Sequence, residues 1–223
     1  MPQALQSTDP LPVADPDVAA ARDALLDAVA ALFTSDVMSK SGHGNASVRV
    51  PGGPDHILLT SRGLLRGLGP EEFALVSLDG DLVAGYLAPE NEEIVRMHTE
   101  VYRARPETGS VVHTHSPFAT GYAVAGRSLP ARYESLLRAG QDEDVPVAPY
   151  GPRGSERAVS TIVDTFTAHP RSHAVLLANH GLLATGADAA AATRLVVALE
   201  ETAQVTLHAT ALGGARPFEG AAR

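Results

Sequence analysis

The chain contains no cysteine, which excludes a disulfide framework and a Cys-ligated zinc finger; any zinc must sit on histidine and carboxylate. Basic residues are in deficit, 17 Lys and Arg against 26 Asp and Glu, with a pI near 5.4. That balance excludes the clustered cations of a nucleic-acid binder or of a protein that docks on anionic membrane. One or two local cations would still serve a small anionic substrate. No run of about eighteen apolar residues exists, and Met1-Pro2-Gln3-Ala4-Leu5-Gln6 lacks the basic-then-apolar order of a secretory leader. These absences lead to the expectation of a soluble cytoplasmic protein with no internal repeat. What is present, 223 residues with 44% hydrophobic content, suffices for one sizeable core. One domain is expected over residues 17–213, flanked by flexible tails at 1–16 and 214–223.

The most informative stretch is Val111-Val112-His113-Thr114-His115. Two valines entering a His-x-His pair suit a strand, whose period of two puts both imidazoles on one face. Two rings on one face can grip one cation, and a catalytic site takes about three protein ligands, so a third is needed. Alone, such a pair can equally face solvent or satisfy a core hydrogen bond. A second apolar run, Ala174-Val175-Leu176-Leu177-Ala178, delivers Asn179-His180-Gly181 where another buried strand stops.

Elsewhere the pattern predicts an amphipathic helix from Asp17 to about Phe33, capped by Asp15 or Asp17. Ser39 to Asn45 is a small-residue turn running into a strand; its glycines would let backbone amides approach an anion, or would simply make a hairpin. Ile57 to Thr60 is a strand leading to Ser61-Arg62-Gly63, a second turn that could face an anion. Phe73 to Leu78 and Leu82 to Ala84 form a hairpin about Asp79-Gly80-Asp81. Pro89-Glu90-Asn91-Glu92-Glu93 opens a helix with Ile94, Met97, His98, Val101 and Arg105 on one face. Glu93 lies at the edge of that face and is the better placed to reach a site; Glu92 points away, toward Arg96. All three glutamates also suit a helix N-terminus, and His98 reads as a hydrogen-bonded core histidine. Phe118 to Val124 is a short helix, Arg127 to Tyr133 a connector, Ala139 to Gly154 a loop of the kind that borders active sites, and Glu156 to Thr167 a helix. Asp188 should cap a long helix ending near Leu212, before Gly213-Gly214.

Three blocks, Ser41-Gly42-His43-Gly44-Asn45-Ala46-Ser47-Val48-Arg49, Tyr102-Arg103-Ala104-Arg105-Pro106 on to His115, and Leu176 to Ala184, follow one another in the order and spacing of the class II aldolase/adducin family. The chain resembles that family over roughly residues 20–212. The resemblance implies a single α/β/α sandwich around a mainly antiparallel sheet, and a ring-like homotetramer with active sites at subunit interfaces. It implies a divalent metal on His113, His115 and His180, commonly zinc, with manganese, cobalt and nickel compatible with the same donors. It also implies a carbon–carbon lyase acting on a small hydroxy-carbonyl substrate, sugar-like and in many relatives phosphorylated, by stabilising an enolate or carbanion.

The family's aldolases place a general acid/base glutamate four residues before the helix histidine, where this chain has Ile94. Glu93 and Glu92, one and two residues off, are the candidates. The family tyrosine that assists from a neighbouring subunit falls one residue from Tyr133. Phosphate is bound in those aldolases by a Gly-Asn turn, a Thr-Gly turn and a serine pair; here the places hold Gly44-Asn45, Ser61-Arg62-Gly63, and Asn91 with Glu92. A carboxylate beside a phosphate dianion is unfavourable, whereas Arg62 could clamp a phosphate or carboxylate. The family also includes metal-dependent decarboxylases of hydroxylated aromatic or heteroaromatic carboxylates, a sugar-phosphate 4-epimerase, and adducin-like binding modules that lack the metal histidines. Retention of all three histidines argues against the last.

Overall fold

The computed structural model describes residues 5–6 and 9–216, without the side chains of residues 5, 6, 54, 90 and 92. Its elements run β1 (Leu5–Gln6), α1 (Pro16–Thr34), β2 (Gly44–Val50), β3 (Gly53–Thr60), β4 (Phe73–Ser77), β5 (Leu82–Leu87), a 3-10 turn (Pro89–Asn91), α2 (Glu92–Ala104), β6 (Ser110–Thr114), α3 (Pro117–Ala125), α4 (Glu134–Arg138), β7 (Val147–Ala148), α5 (Glu156–Ala168), β8 (Ala174–Leu177), β9 (Gly181–Gly186) and α6 (Ala189–Ala211). The strands form one sheet in the order β1-β5-β4-β3-β2-β6-β9-β8-β7. Every pairing is antiparallel except β7 with β8, so the mainly antiparallel α/β sandwich read from the sequence is the fold.

The strands are buried on both faces and sort their side chains by alternation. Leu58, Phe73, Leu75, Val112, Leu176, Leu182 and Ala184 join one core with residues of α1, α3, α4 and α6. Ile57, Leu59, Ala74, Val76, Val111, Val175 and Leu183 join a second core with residues of α2 and α5. β2 keeps the rhythm with a different chemistry. Ala46, Val48 and Val50 enter the first core, whereas the alternate positions Asn45 and Ser47 put buried polar groups on the α2 side. β2 thus carries a polar stripe on the face under α2.

Local signals set the element ends. Asp15 caps α1 by accepting from Asp17 N, and Asp188 caps α6 by accepting from Ala191 N at 2.6 Å, as an aspartate just before an apolar-periodic run leads one to expect. Short elements were not visible in the periodicity. α4 spans five residues and β7 two, held by its parallel pairing to β8. In the stretch read as a loose N-terminal tail, Leu5 and Gln6 pair with Leu87 and Tyr86, and Gly85 N donates to Asp9 O. The remaining tail positions 1–4, 7–8 and 217–223 lie outside the described residues.

Candidate metal centre and binding pocket

His113 sits in the middle of the sheet, paired across to Asn45 of β2 and Leu183 of β9, and is 3% exposed. Its Nδ1 lies 2.9 Å from Leu182 O. A carbonyl only accepts, so Nδ1 carries the hydrogen and Nε2 keeps a free lone pair. His115 follows just past the end of β6 and brings its Nε2 to 3.1 Å from that of His113. His180 arrives on the tight connection between β8 and β9, where Asn179 takes the left-handed conformation with φ 58, a backbone state that asparagine tolerates better than most residues. The three ring centroids stand 4.8 to 5.0 Å apart.

The donor set fits a divalent ion. One ligand nitrogen from each histidine can be chosen so that all lie within 4.8 Å of one another, and donors each about 2.0–2.1 Å from a tetrahedral zinc stand about 3.4 Å apart. The widest pair would close by roughly an ångström as the ion binds. Burial pushes the His113 imidazole well below its ordinary pKa, and the two neighbouring imidazoles push the same way. Burial lowers His115 to about 4 and lowers His180 as well. All three are therefore neutral near pH 7, the state in which imidazole ligates.

The triad opens on a cavity of about 430 Å³ whose walls include His43, Gly44, Asn45, Gly63, Asn91, Glu93, Met97, Tyr150, Gly151, Arg153, Gly154 and Ser155. Of the residues singled out in the sequence, Gly44, Asn45, Gly63 and Glu93 line this space together with the histidines. Gly44 is needed for close approach, since a Cβ there would lie 2.5 Å from His113 O. Glu93 is partly buried and ion-paired with Arg153. The Glu92 side chain lies outside the described residues.

Three of the candidates lie outside the lining of this cavity. Arg62 is exposed and ion-paired with Glu72, so it does not reach into the cavity. Ser61 is fully buried beside the wall and its hydroxyl has no hydrogen-bond partner among the described residues. Tyr133 lies outside its own chain's cavity, with its hydroxyl 3.3 Å from Glu201 Oε1; the neighbouring carboxylate raises the phenol's pKa. Arg153 was not identified from the sequence. Its one available signal is the Gly151-Pro152-Arg153-Gly154 loop directly before the helix cap Ser155, where Gly154 leaves room for the Glu93 carboxylate.

The chain matches known proteins over most of its length. A family model described as Class II Aldolase and Adducin N-terminal domain matches residues 24–207. The chain is 34% identical over 186 residues to a 5-methylthioribulose-1-phosphate/5-deoxyribulose-1-phosphate aldolase of Rhodospirillum rubrum, covering 83% of this chain and 79% of that protein. It is 33% identical over 169 residues to a 3-oxo-tetronate 4-phosphate decarboxylase of Pectobacterium atrosepticum, covering 73% and 72%. The solved L-fuculose-1-phosphate aldolase of Thermus thermophilus superposes with a TM-score of 0.70 at 27% identity, over 90% of this chain and all of that one.

Proposed function

The chain belongs to the class II aldolase and adducin family and is a lyase of the class II aldolase type; on that premise we propose that it cleaves a small ketose 1-phosphate by retro-aldol reaction between C3 and C4. The observation that carries this reading is the convergence of the three neutral imidazoles of the triad, the Glu93 carboxylate and the Asn45 amide on a single cavity. The substrate class follows the relatives' names, which include a 5-deoxy-D-ribulose 1-phosphate aldolase 34% identical over 144 residues.

A divalent ion on His113, His115 and His180, which we assign as zinc, supplies when bound the Lewis acidity that stabilises negative charge on the substrate's oxygens. Manganese, cobalt and nickel suit the same nitrogen donors. Glu93 takes the proton from the C4 hydroxyl as C4 leaves as an aldehyde. It then returns that proton to C3, so that the three-carbon fragment departs as dihydroxyacetone phosphate. Asn45 and the backbone around Gly44 and Gly63 hold the phosphate, with Arg62 withdrawn to Glu72. The other route to aldol cleavage, an imine with lysine, finds no residue here. Lys40 is the chain's one lysine, and it lies outside the cavity. We further assign a homotetramer in which Tyr133, remote from its own cavity, serves that of a neighbouring subunit.

A second reading is favoured by the decarboxylase relative: loss of carbon dioxide from a 3-oxo acid leaves the same kind of carbanion for the site to stabilise. One experiment separates the two. The purified protein is analysed for bound metal, then given 5-deoxyribulose 1-phosphate, 5-methylthioribulose 1-phosphate and 3-oxo-tetronate 4-phosphate. Aldehyde with dihydroxyacetone phosphate, abolished by chelation and restored by metal, is the expected outcome. Carbon dioxide from the oxo acid alone establishes the second reading, and neither product from metal-loaded protein sinks both.

A further inference from the structure

The polar stripe on β2 is one end of a buried chain of hydrogen bonds. Asn45 and Ser47 share a face of the strand, and His98 and Tyr102, one turn apart on α2, lie against them. His98 Nε2 is 2.7 Å from Asn45 Oδ1, His98 Nδ1 is 2.7 Å from Ser47 Oγ, and Ser47 Oγ is 2.9 Å from Tyr102 Oη. None of the four is more than 5% exposed. Of the four, Asn45 alone lines the cavity.

An amide oxygen only accepts, so His98 carries its hydrogen on Nε2 and donates to Asn45 Oδ1, which leaves its Nδ1 as an acceptor. Ser47 gives its one hydrogen to that Nδ1, and its oxygen in turn accepts from Tyr102 Oη. Burial keeps the ring neutral by lowering its pKa to about 3, so this one-donor, one-acceptor state persists across the physiological range. An amide whose oxygen is pinned inward has only its NH2 group left to offer the cavity.

We propose that His98 is a positioning residue for substrate selection: set by Ser47 and Tyr102, it locks the Asn45 amide so that the cavity presents N–H donors and takes a substrate bearing an anionic oxygen such as phosphate. With the chain reversed, Asn45 would offer its carbonyl and repel that group. The proposal rests on the sugar-phosphate reading of the cavity, and its tests separate from that reading's.

The first test is the tautomer of His98, read from imidazole 15N shifts in the metal-loaded protein. Protonation on Nε2 is expected; protonation on Nδ1 overturns the proposal. The second is the affinity for inorganic phosphate by calorimetry, with metal content and circular dichroism followed in parallel. Wild type should bind phosphate. Ser47→Ala and His98→Leu should weaken it about tenfold, and Tyr102→Phe should weaken it less, all at wild-type metal content. His98→Gln, which keeps a donor toward Asn45, should recover most of the loss, whereas Asn45→Asp, of the same shape with acceptors only, should abolish binding. On an accepted substrate the loss should fall on KM, with kcat near wild type. A wild type that binds no phosphate, wild-type affinity in a folded, metal-loaded Ser47→Ala protein, or a His98→Gln protein no better than His98→Leu overturns it. Should phosphate binding and the tautomer hold while no aldehyde is released, the aldolase reading falls and this one stands.

Discussion

Gly181 has no space for a side chain: a Cβ there would sit 2.6 Å from Thr114 O, 3.0 Å from His115 Cδ2 and 3.2 Å from His113 Cε1. The hardest clash is with the Thr114 carbonyl at the end of β6 and the other two are with rings of the triad, so Gly181→Ala must displace the chain that carries the ligands as well as the rings themselves. We expect at least tenfold weaker metal binding, measured by competition with a chromophoric chelator, with the helical circular dichroism retained. His98 gives a second prediction at this scale. Its folded pKa of about 3 lies below the ordinary 6.5, so the unfolded chain binds a proton that the native ring refuses. Its contribution to stability is complete above about pH 6.5 and is lost as pH falls toward 3, by at most about 1.4 kcal/mol per pH unit. The urea midpoint of wild type should drop across that window, and His98→Gln should show a shallower drop. His113, His115, His173 and His180, depressed in the same direction, contribute to the slope that remains. The sequence marked His98 as a core histidine, which it is, but the periodicity of α2 says nothing of which strand residues it meets.

At the scale of elements, α3 begins without a side-chain cap of its own. Its first turn is satisfied from outside by Glu200 of α6, whose two carboxylate oxygens accept from Phe118 N and Ala119 N at 2.8 Å each. A carboxylate at a helix N-terminus also meets the positive end of the dipole. Glu200→Ala leaves one buried and one half-buried donor unpaired and should cost about 2 kcal/mol in urea denaturation. Glu200→Gln, which keeps one acceptor, should cost less. The long helices and most strands could be read from periodicity and caps, because those are local properties of the chain. The borrowed cap, the two-residue β7 and the five-residue α4 could not, since each exists only because a distant element lies beside it.

For the whole molecule, Tyr133 and the exposed apolar groups bear on assembly. Leu207 is 53% exposed and Leu212 88%, large values for leucines on and just past a long helix. The proposed tetramer should sediment at about four times the 23.2 kDa chain, and Tyr133→Phe should lower kcat at unchanged mass and metal content. A monomer with full activity would remove the role assigned to Tyr133. No described helix is long and apolar enough to cross a membrane.

By itself the sequence determined most helices and strands, because caps and alternation are written in neighbouring residues, and it carried the motifs whose resemblance to the family implied the mainly antiparallel α/β sandwich and pointed to the three histidines. Tertiary structure alone decided that Arg62 turns to Glu72, that Glu93 reaches the cavity against Arg153, and that Ser47, His98 and Tyr102 stand in line behind Asn45. Most of those contacts join residues tens of positions apart, and their partners are chosen by the packing of α2 and the loop before α5 on one face of the sheet, which no local pattern encodes.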